Sequence, residues 1–269
     1  MKKVTCLCPT YGRYELLRKS ISFFLLQTYE NKELIILNNH PTPIHLHPSL
    51  KGKGITVRNF GDNSDMALIH NTVLEDIEAD SFVAIWEDDD VYLPWHLENV
   101  LRIPDDKDAI KPSRTIFVDD FKGGMRVTAQ DNYFEGSHIV RTNVLKKYGF
   151  GPHDNPNDPS YNTGFWHWSW LDKVERYRPE FAESGYVHMW HRTFVDGLPV
   201  YHSSGHSPER LRALSCDTGH KAPITATNIT PIFNSLEALR EGFDGNTEED
   251  IDKFLNKLYL SQDDTLYKR

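Results

Sequence analysis

Four consecutive acids, Glu87-Asp88-Asp89-Asp90, follow directly on the apolar run Phe82-Val83-Ala84-Ile85-Trp86. Adjacent carboxylates repel one another, and a short run without polar residues reads as a strand buried on both faces. In an open α/β sheet ligands bind beyond the carboxyl ends of the strands. A hard divalent cation answers both observations: Mg²⁺ or Mn²⁺ takes carboxylate oxygens, binds through one or two of them, and shares the rest of its shell with substrate phosphates. A solvated acidic turn is the plainer reading of four acids; their place after a buried strand favours the cation. A second group, Pro9-Thr10-Tyr11-Gly12-Arg13, stands between the first strand-like and the first helix-like segment. Thr10 and backbone N–H groups can reach a ligand there, the helix amino end favours phosphate, and Arg13 supplies a cation.

Two aromatic and imidazole groups come later. Trp166, His167, Trp168 and Trp170 form a cluster whose flat indole faces suit the apolar side of a pyranose or a base, as well as a core. His188, His191, His202 and His206 lie within nineteen residues, but no pair has the compact spacing of a structural zinc site and no cysteine accompanies them.

The elements that must position these groups alternate between strand and helix over the first hundred residues, the pattern of a parallel-sheet α/β unit. Val4–Cys8 reads as a strand ended by Pro9, and Tyr14–Gln27 as a helix with Leu16, Leu17, Ile21, Phe24 and Leu25 at helical spacing. Glu33–Leu37 and Ile55–Arg58 read as strands, a helix is expected from Ser64 or Asp65 to Ile77, and Ser81–Trp86 is the strand that ends in the acids. Beyond Asp105 the pattern loosens. Short strands are expected at Thr115–Val118 and Arg126–Thr128, a long Pro, Asn, Asp and Gly-rich loop at Gly149–Gly164, and a Trp-rich helix at Phe165–Arg176. Ser207-Pro208 opens a short helix and Thr247–Leu260 forms an amphipathic one.

Composition bounds the classes. The 269 residues carry 30 Lys+Arg against 39 Asp+Glu, a formal charge of −9, with 39% apolar and 12% aromatic residues. That is enough material for a core without disulfide or metal staples, and it excludes a disordered or collagen-like chain. An acidic total gains nothing from counterion release, so a nucleic-acid partner would need a local basic patch. Lys111, Arg114, Lys122, Arg126, Arg141, Lys146 and Lys147 make residues 111–147 such a stretch. Three cysteines without a C-x-x-C pair fit a reducing compartment. No apolar run approaches about 18 residues, and Lys2-Lys3 leads straight into a strand, so the expected location is the cytoplasm, without integral membrane association.

The chain resembles a glycosyltransferase of the GT-A fold, family 2 type. The resemblance rests on VTCLCPTYGRYELLRKSI, QTYENKELIILNN, NFGDNSDMALIHNTVLE and FVAIWEDDDVYLPWHLE, which cover residues 1–100, with GSHIVRTNVLKKYG similar to the family's acceptor-side segment. It implies an α/β, Rossmann-like fold with a mixed, mostly parallel sheet flanked by helices. Residues 1–104 would form the nucleotide-sugar-binding half, 105–215 the acceptor-side half and 216–269 a C-terminal helical extension. It implies transfer of a sugar from a nucleotide-sugar, most often a UDP-sugar, to an acceptor hydroxyl with inversion, assisted by Mn²⁺ or Mg²⁺. The acceptor would be a saccharide or another small molecule. Hydroxymethylated pyrimidine in DNA, as in phage-type relatives, is the alternative acceptor, and a non-catalytic nucleotide-sugar binder the alternative function.

Carried over by position, Pro9, Thr10 and Tyr11 would line the nucleoside pocket. Asn38-Asn39 stands where the family usually has an Asp that reads the base; an amide both donates and accepts, so uracil is allowed but not demanded. His70-Asn71 falls where the family has Arg-Asn near the donor phosphates or ribose. In the D-x-D alignment Glu87 takes the first acidic place, Asp88 the middle one and Asp89 the second. Asp89 is then the leading metal ligand, with Asp90 and Glu87 behind it and His202, or else His191, completing the shell from the C-terminal region. The family's base is the Asp of a Glu-Asp pair before a helical Trp. Here Trp166-His167 occupies that place, leaving His167, Asp154 and Asp158 as the candidate bases.

Overall fold

The computed structural model describes residues 1–61, 65–113, 115–119, 125–128, 135–151, 170, 173–179, 185–190, 192–195, 198–201, 221–223 and 267–268. Its centre is a seven-stranded sheet in the order Arg176–Tyr177, Ala109–Ile110, Ile139–Arg141, Phe82–Ile85, Val4–Thr10, Lys32–Asn38, Ile55–Asn59. Of these strands, Ile139–Arg141 alone runs against its neighbours, so the sheet is mixed and mostly parallel. The strand Val4–Thr10 is flanked by Lys32–Asn38 on one side and Phe82–Ile85 on the other. The chain therefore winds outward one way from Val4–Thr10 and returns to its opposite edge, which makes its carboxyl end a topological switch point.

Alternation along the strands sorts the core into two layers. Val4, Cys6, Cys8, Leu34, Ile36, Phe82 and Ala84 pack with Leu17, Ile21 and Phe24 of the helix Tyr14–Leu25. Leu7, Ile35, Leu37, Val83 and Ile85 face the other way, onto Ile69, Val73 and Leu74 of the helix Met66–Leu74 and Leu145 of the helix Thr142–Tyr148. Both faces of the central strands are thus covered, which is why Phe82–Ile85 carries no polar residue. Trp86 continues that strand into the first layer, stacked on Tyr92 with ring centroids 3.8 Å apart and its indole N–H donating to Ser20 Oγ at 2.8 Å.

The helix expected up to Ile77 ends at Leu74, and Asp65 is its cap, accepting from the Leu68 N–H at 2.9 Å. Ile116–Asp119 and Met125–Thr128 pair antiparallel, close to the expected spans. They belong to a second sheet in the order Lys221–Pro223, Met125–Thr128, Ile116–Asp119, Tyr186–Trp190, Val91–Tyr92. Arg176, expected to end the Trp-rich helix, starts a strand instead, while Trp170 is helical. Residues 173–175, also expected in that helix, are turn and irregular backbone; residues 165–169 and 171–172, the loop 152–164 and the helices expected after Ser207 and Thr247 lie outside the described residues. No helix among the described residues is long and apolar enough to cross a membrane.

Cys6 and Cys8 show no exposed surface, and burial pushes both thiols well above their ordinary pKa, with Asp88 adding to the effect at Cys8. A thiol neither ionised nor accessible is inert. In the native chain neither cysteine should react with an aromatic disulfide reagent, and both should react once guanidinium unfolds it. Peptide mapping of the labelled chain reads this; modification of either at native pH would mean that the strand Val4–Thr10 opens.

Candidate functional site

The register of the central strands decides what meets at the switch point. Leu7 lies opposite Ile85 in the parallel pair, so Thr10, three residues on, comes level with Asp88, three residues beyond Ile85. The Thr10 hydroxyl donates to Asp88 Oδ2 at 2.7 Å, and the Thr10 carbonyl accepts from the Asn39 N–H at 3.2 Å. Arg13, the last residue before the helix Tyr14–Leu25, reaches across the same gap. Its Nη1 donates to Asp89 Oδ2 at 2.7 Å and its Nη2 to Asp88 Oδ1. The pairs are buried: side-chain exposure is 5% for Arg13, 0% for Asp88 and 2% for Asp89. Burial works to lower the Arg13 pKa, but Asp88, Asp89 and Glu87 together outweigh it and hold the guanidinium protonated.

Asp90 is served from the second sheet. Tyr186 and Tyr92 are register partners in the antiparallel pair that joins Tyr186–Trp190 to Val91–Tyr92, two residues beyond Asp90. Alternation then puts Tyr186 and His188 on one face of their strand. The Tyr186 hydroxyl donates to Asp90 Oδ2 at 2.6 Å, and His188 Nδ1 lies 3.0 Å from Asp90 Oδ1 and 3.2 Å from the Tyr186 oxygen. Burial first, then the charge of Asp90, raises the Tyr186 pKa, so the phenol stays a neutral donor. The Tyr92 hydroxyl accepts from the Glu87 N–H at 2.7 Å and closes the acidic turn. Gly136 lets the Glu135–Ser137 turn approach this group: a Cβ there would stand 2.7 Å from the Tyr92 hydroxyl and 3.1 Å from Asp90 Oδ2.

Beside Thr10, Tyr11 is 42% exposed and meets the His40 ring edge-on with centroids 5.0 Å apart. Pro9 sits half-buried in the strand, opposite Leu37. The amide of Asn38 is used internally, donating to the Thr42 carbonyl and to Asn59 Oδ1 and accepting from the His40 N–H. Asn39 Nδ2 donates to Met66 Sδ at 3.3 Å. His70 is buried against Phe150, with Nδ1 2.7 Å from the Met66 carbonyl. Asn71 clasps the Phe150 backbone, donating to its carbonyl at 2.9 Å and accepting from its N–H at 2.7 Å. Of the residues singled out in the sequence, the structure thus brings Thr10, Arg13, Asp88 and Asp89 together and joins Asn39 to Thr10, while Asn38, His70 and Asn71 hold neighbouring segments in place. His167, Asp154, Asp158, His191 and His202 lie outside the described residues.

Tyr186, His188 and Tyr92 were not picked out for this site from the sequence. His188 belonged to the noted histidine group, and its signal was its spacing of two from Tyr186 on an apolar strand. Among the described residues no three His, Cys, Asp or Glu side chains are disposed to hold a metal ion. The donor chemistry nevertheless fits Mg²⁺ or Mn²⁺, which need only one or two carboxylates when phosphates complete the shell. A guanidinium already stands where a cation is called for.

A sequence model described as glycosyl transferase family 2 matches residues 5–156. No curated protein matches the chain. Among solved structures, Staphylococcus aureus TarS 1–349 in complex with UDP-GlcNAc is 14% identical over 91% of this chain and 74% of that one, with a TM-score of 0.51. TarS 1–349 alone is 16% identical over 70% and 60% at 0.48. The mannosyltransferase PcManGT from Pyrobaculum calidifontis, in complex with GDP-Man and Mn²⁺, is 13% identical over 89% and 70% at 0.49. The chain spans 60% of that TarS fragment and 43% of the longer TarS chain. At these identities the TarS complex with UDP-GlcNAc shares a fold with this chain.

Proposed function

Because the chain belongs to glycosyl transferase family 2, we propose that it moves a sugar from a nucleotide-sugar, a UDP-sugar, to the hydroxyl of a saccharide or other small molecule, with inversion and with Mn²⁺ or Mg²⁺. The observation that carries this reading is the meeting of Thr10 and Arg13 with Asp88 and Asp89 at the switch point of the sheet. Pro9, Thr10 and Tyr11 line the nucleoside side, and the exposed Tyr11 ring beside His40 offers a face on which a base can stack. Asp89, with Asp90 and Glu87, holds the divalent ion, and His202 is the further ligand proposed from the C-terminal region. The bound ion offsets the charge that grows on the leaving nucleoside diphosphate. His167, Asp154 and Asp158 remain the candidates to take the acceptor proton.

A DNA acceptor draws less support than the sequence offered it. Lys111 is buried, Arg141 donates to the carbonyls of Lys107 and Pro104, and Lys146 donates to the Glu75 carbonyl, so these cations are committed within the chain. The test is a panel of nucleotide-sugars with Mn²⁺, offered saccharide and hydroxymethylated-DNA acceptors and read by mass spectrometry. One nucleotide-sugar should be consumed, releasing its nucleoside diphosphate and adding one sugar mass to a saccharide. A mass gain on the DNA alone would replace the acceptor; binding of a nucleotide-sugar without turnover of any would reduce the chain to a binder.

A further inference from the structure

The acid run brings four carboxylates to one strand end, and Asp88, Asp89 and Asp90 are buried there. Like charges out of water need a counter-charge. Arg13 supplies one, and it does so with two different nitrogens on two different carboxylates rather than as a fork on one. Asp88 is held a second time by Thr10. The guanidinium can therefore release Asp89 and keep its anchor at Asp88. A divalent ion placed on the Asp89 carboxylate meets the charge of Arg13 at short range, in a site too buried for water to screen it. A diphosphate arriving with the ion removes that conflict, because it carries negative charge of its own and accepts the paired N–H groups of an arginine well.

We propose that Arg13 is a built-in placeholder for the divalent cation. It neutralises Asp88 and Asp89 in the donor-free chain, weakens the binding of a bare ion there, and gives up Asp89 when ion and diphosphate enter together, turning its freed N–H groups to the diphosphate. This rests on the donor site put forward above, and it concerns the exchange of ion pairs only.

The test titrates MnCl₂ into the full chain without nucleotide, reading free Mn²⁺ by its electron paramagnetic resonance and the thermal midpoint in parallel. Arg13→Gln should bind bare Mn²⁺ about tenfold or more tightly than wild type, since a competing charge has been removed. Mn²⁺ should also raise the midpoint of the variant further than that of wild type. Arg13→Lys should fall between the two, because one ammonium cannot bridge both carboxylates. Adding Asp89→Asn to Arg13→Gln should abolish the gain, which locates the ion. In wild type, UDP should tighten Mn²⁺ binding more than it does in Arg13→Gln.

Equal Mn²⁺ affinity in wild type and Arg13→Gln would overturn the proposal. Should Arg13→Gln fail to fold, Arg13→Lys carries the comparison, with no gain in affinity as the overturning result. The two readings fail separately. Tighter Mn²⁺ binding by Arg13→Gln in a chain that turns over no nucleotide-sugar keeps the placeholder and sinks the transferase. Turnover that survives EDTA, with Mn²⁺ affinity unchanged by the substitution, keeps the transferase and makes Arg13 a permanent cation.

Discussion

Asp89→Asn is expected to lower sugar transfer by about 10²–10³-fold while the chain stays folded, the scale seen when one preorganised electrostatic contact to a transition state is lost. The substitution keeps the shape of the side chain and an oxygen that can still accept from Arg13, so the local packing survives. It removes one negative charge from a run of four adjacent acids, of which Asp89 shares Arg13 with Asp88. Stability should therefore change by no more than about 1 kcal/mol, with relief of repulsion offsetting the weaker hydrogen bond. What disappears is the carboxylate proposed above to hold the divalent ion. The loss should fall on the rate at saturating donor, with a weaker dependence on Mn²⁺ concentration. Initial rates across a Mn²⁺ series, beside a thermal melt of the same preparation, separate this from misfolding. Wild-type rates in Asp89→Asn would sink the donor site as drawn.

Much of that site was legible in the sequence because its two halves are local patterns. Apolar runs of strand length and helical spacing over Tyr14–Leu25 place the first strand and helix, although the strand does not stop at Pro9 as expected: it runs on to Thr10, with Pro9 opposite Leu37 and Thr10 opposite Asn38. An acid run after a buried strand fixes the other half. What brings the halves together is strand order, and no local pattern encodes it: that Val4–Thr10 lies beside Phe82–Ile85 follows from a crossover more than seventy residues long. Arg13 could be read as a cation for phosphate, but its pairing with Asp88 and Asp89 depends on that order. The Tyr186–His188 contact with Asp90 was hidden for a related reason. Val91–Tyr92 is a strand of two residues, too short to show a period, and its pairing sets which histidine arrives. Asn38 and Asn71 illustrate the opposite difficulty. An amide that reads a ligand and an amide that pins a backbone have the same sequence signature, and here both are spent on their own chain.

The middle acid of the run separates stability from chemistry. Asp88→Ala should destabilise the chain by about 3 kcal/mol, the lower end of what breaking a buried ion pair costs, because Arg13 keeps Asp89 as a partner. The Asp88 carboxylate has no exposed side-chain surface and accepts from both Thr10 and Arg13, so alanine leaves a buried hydroxyl and half of a guanidinium without their acceptor. Asp80 offers the control. It pairs with Lys2 at the surface, where the two side chains are 87% and 47% exposed, and solvent screening leaves such pairs worth about 0–1 kcal/mol. Asp80→Ala should accordingly leave the urea midpoint almost where it was. Asp88→Asn should fall between, since an amide oxygen can still accept from Thr10 while the charge is lost. Urea unfolding in EDTA, with the slope held common to all three variants, reads the differences as shifts in midpoint. If Asp88→Ala and Asp80→Ala move the midpoint equally little, Arg13 is not the counter-charge of a buried carboxylate pair, and the contact across the switch point contributes nothing to the fold. If the predicted order holds, the strand end is a place where the chain is held together by the same charges it offers to a ligand, and any variant of Asp88 that lowers activity must be judged against its own melt before a role in transfer is assigned to it.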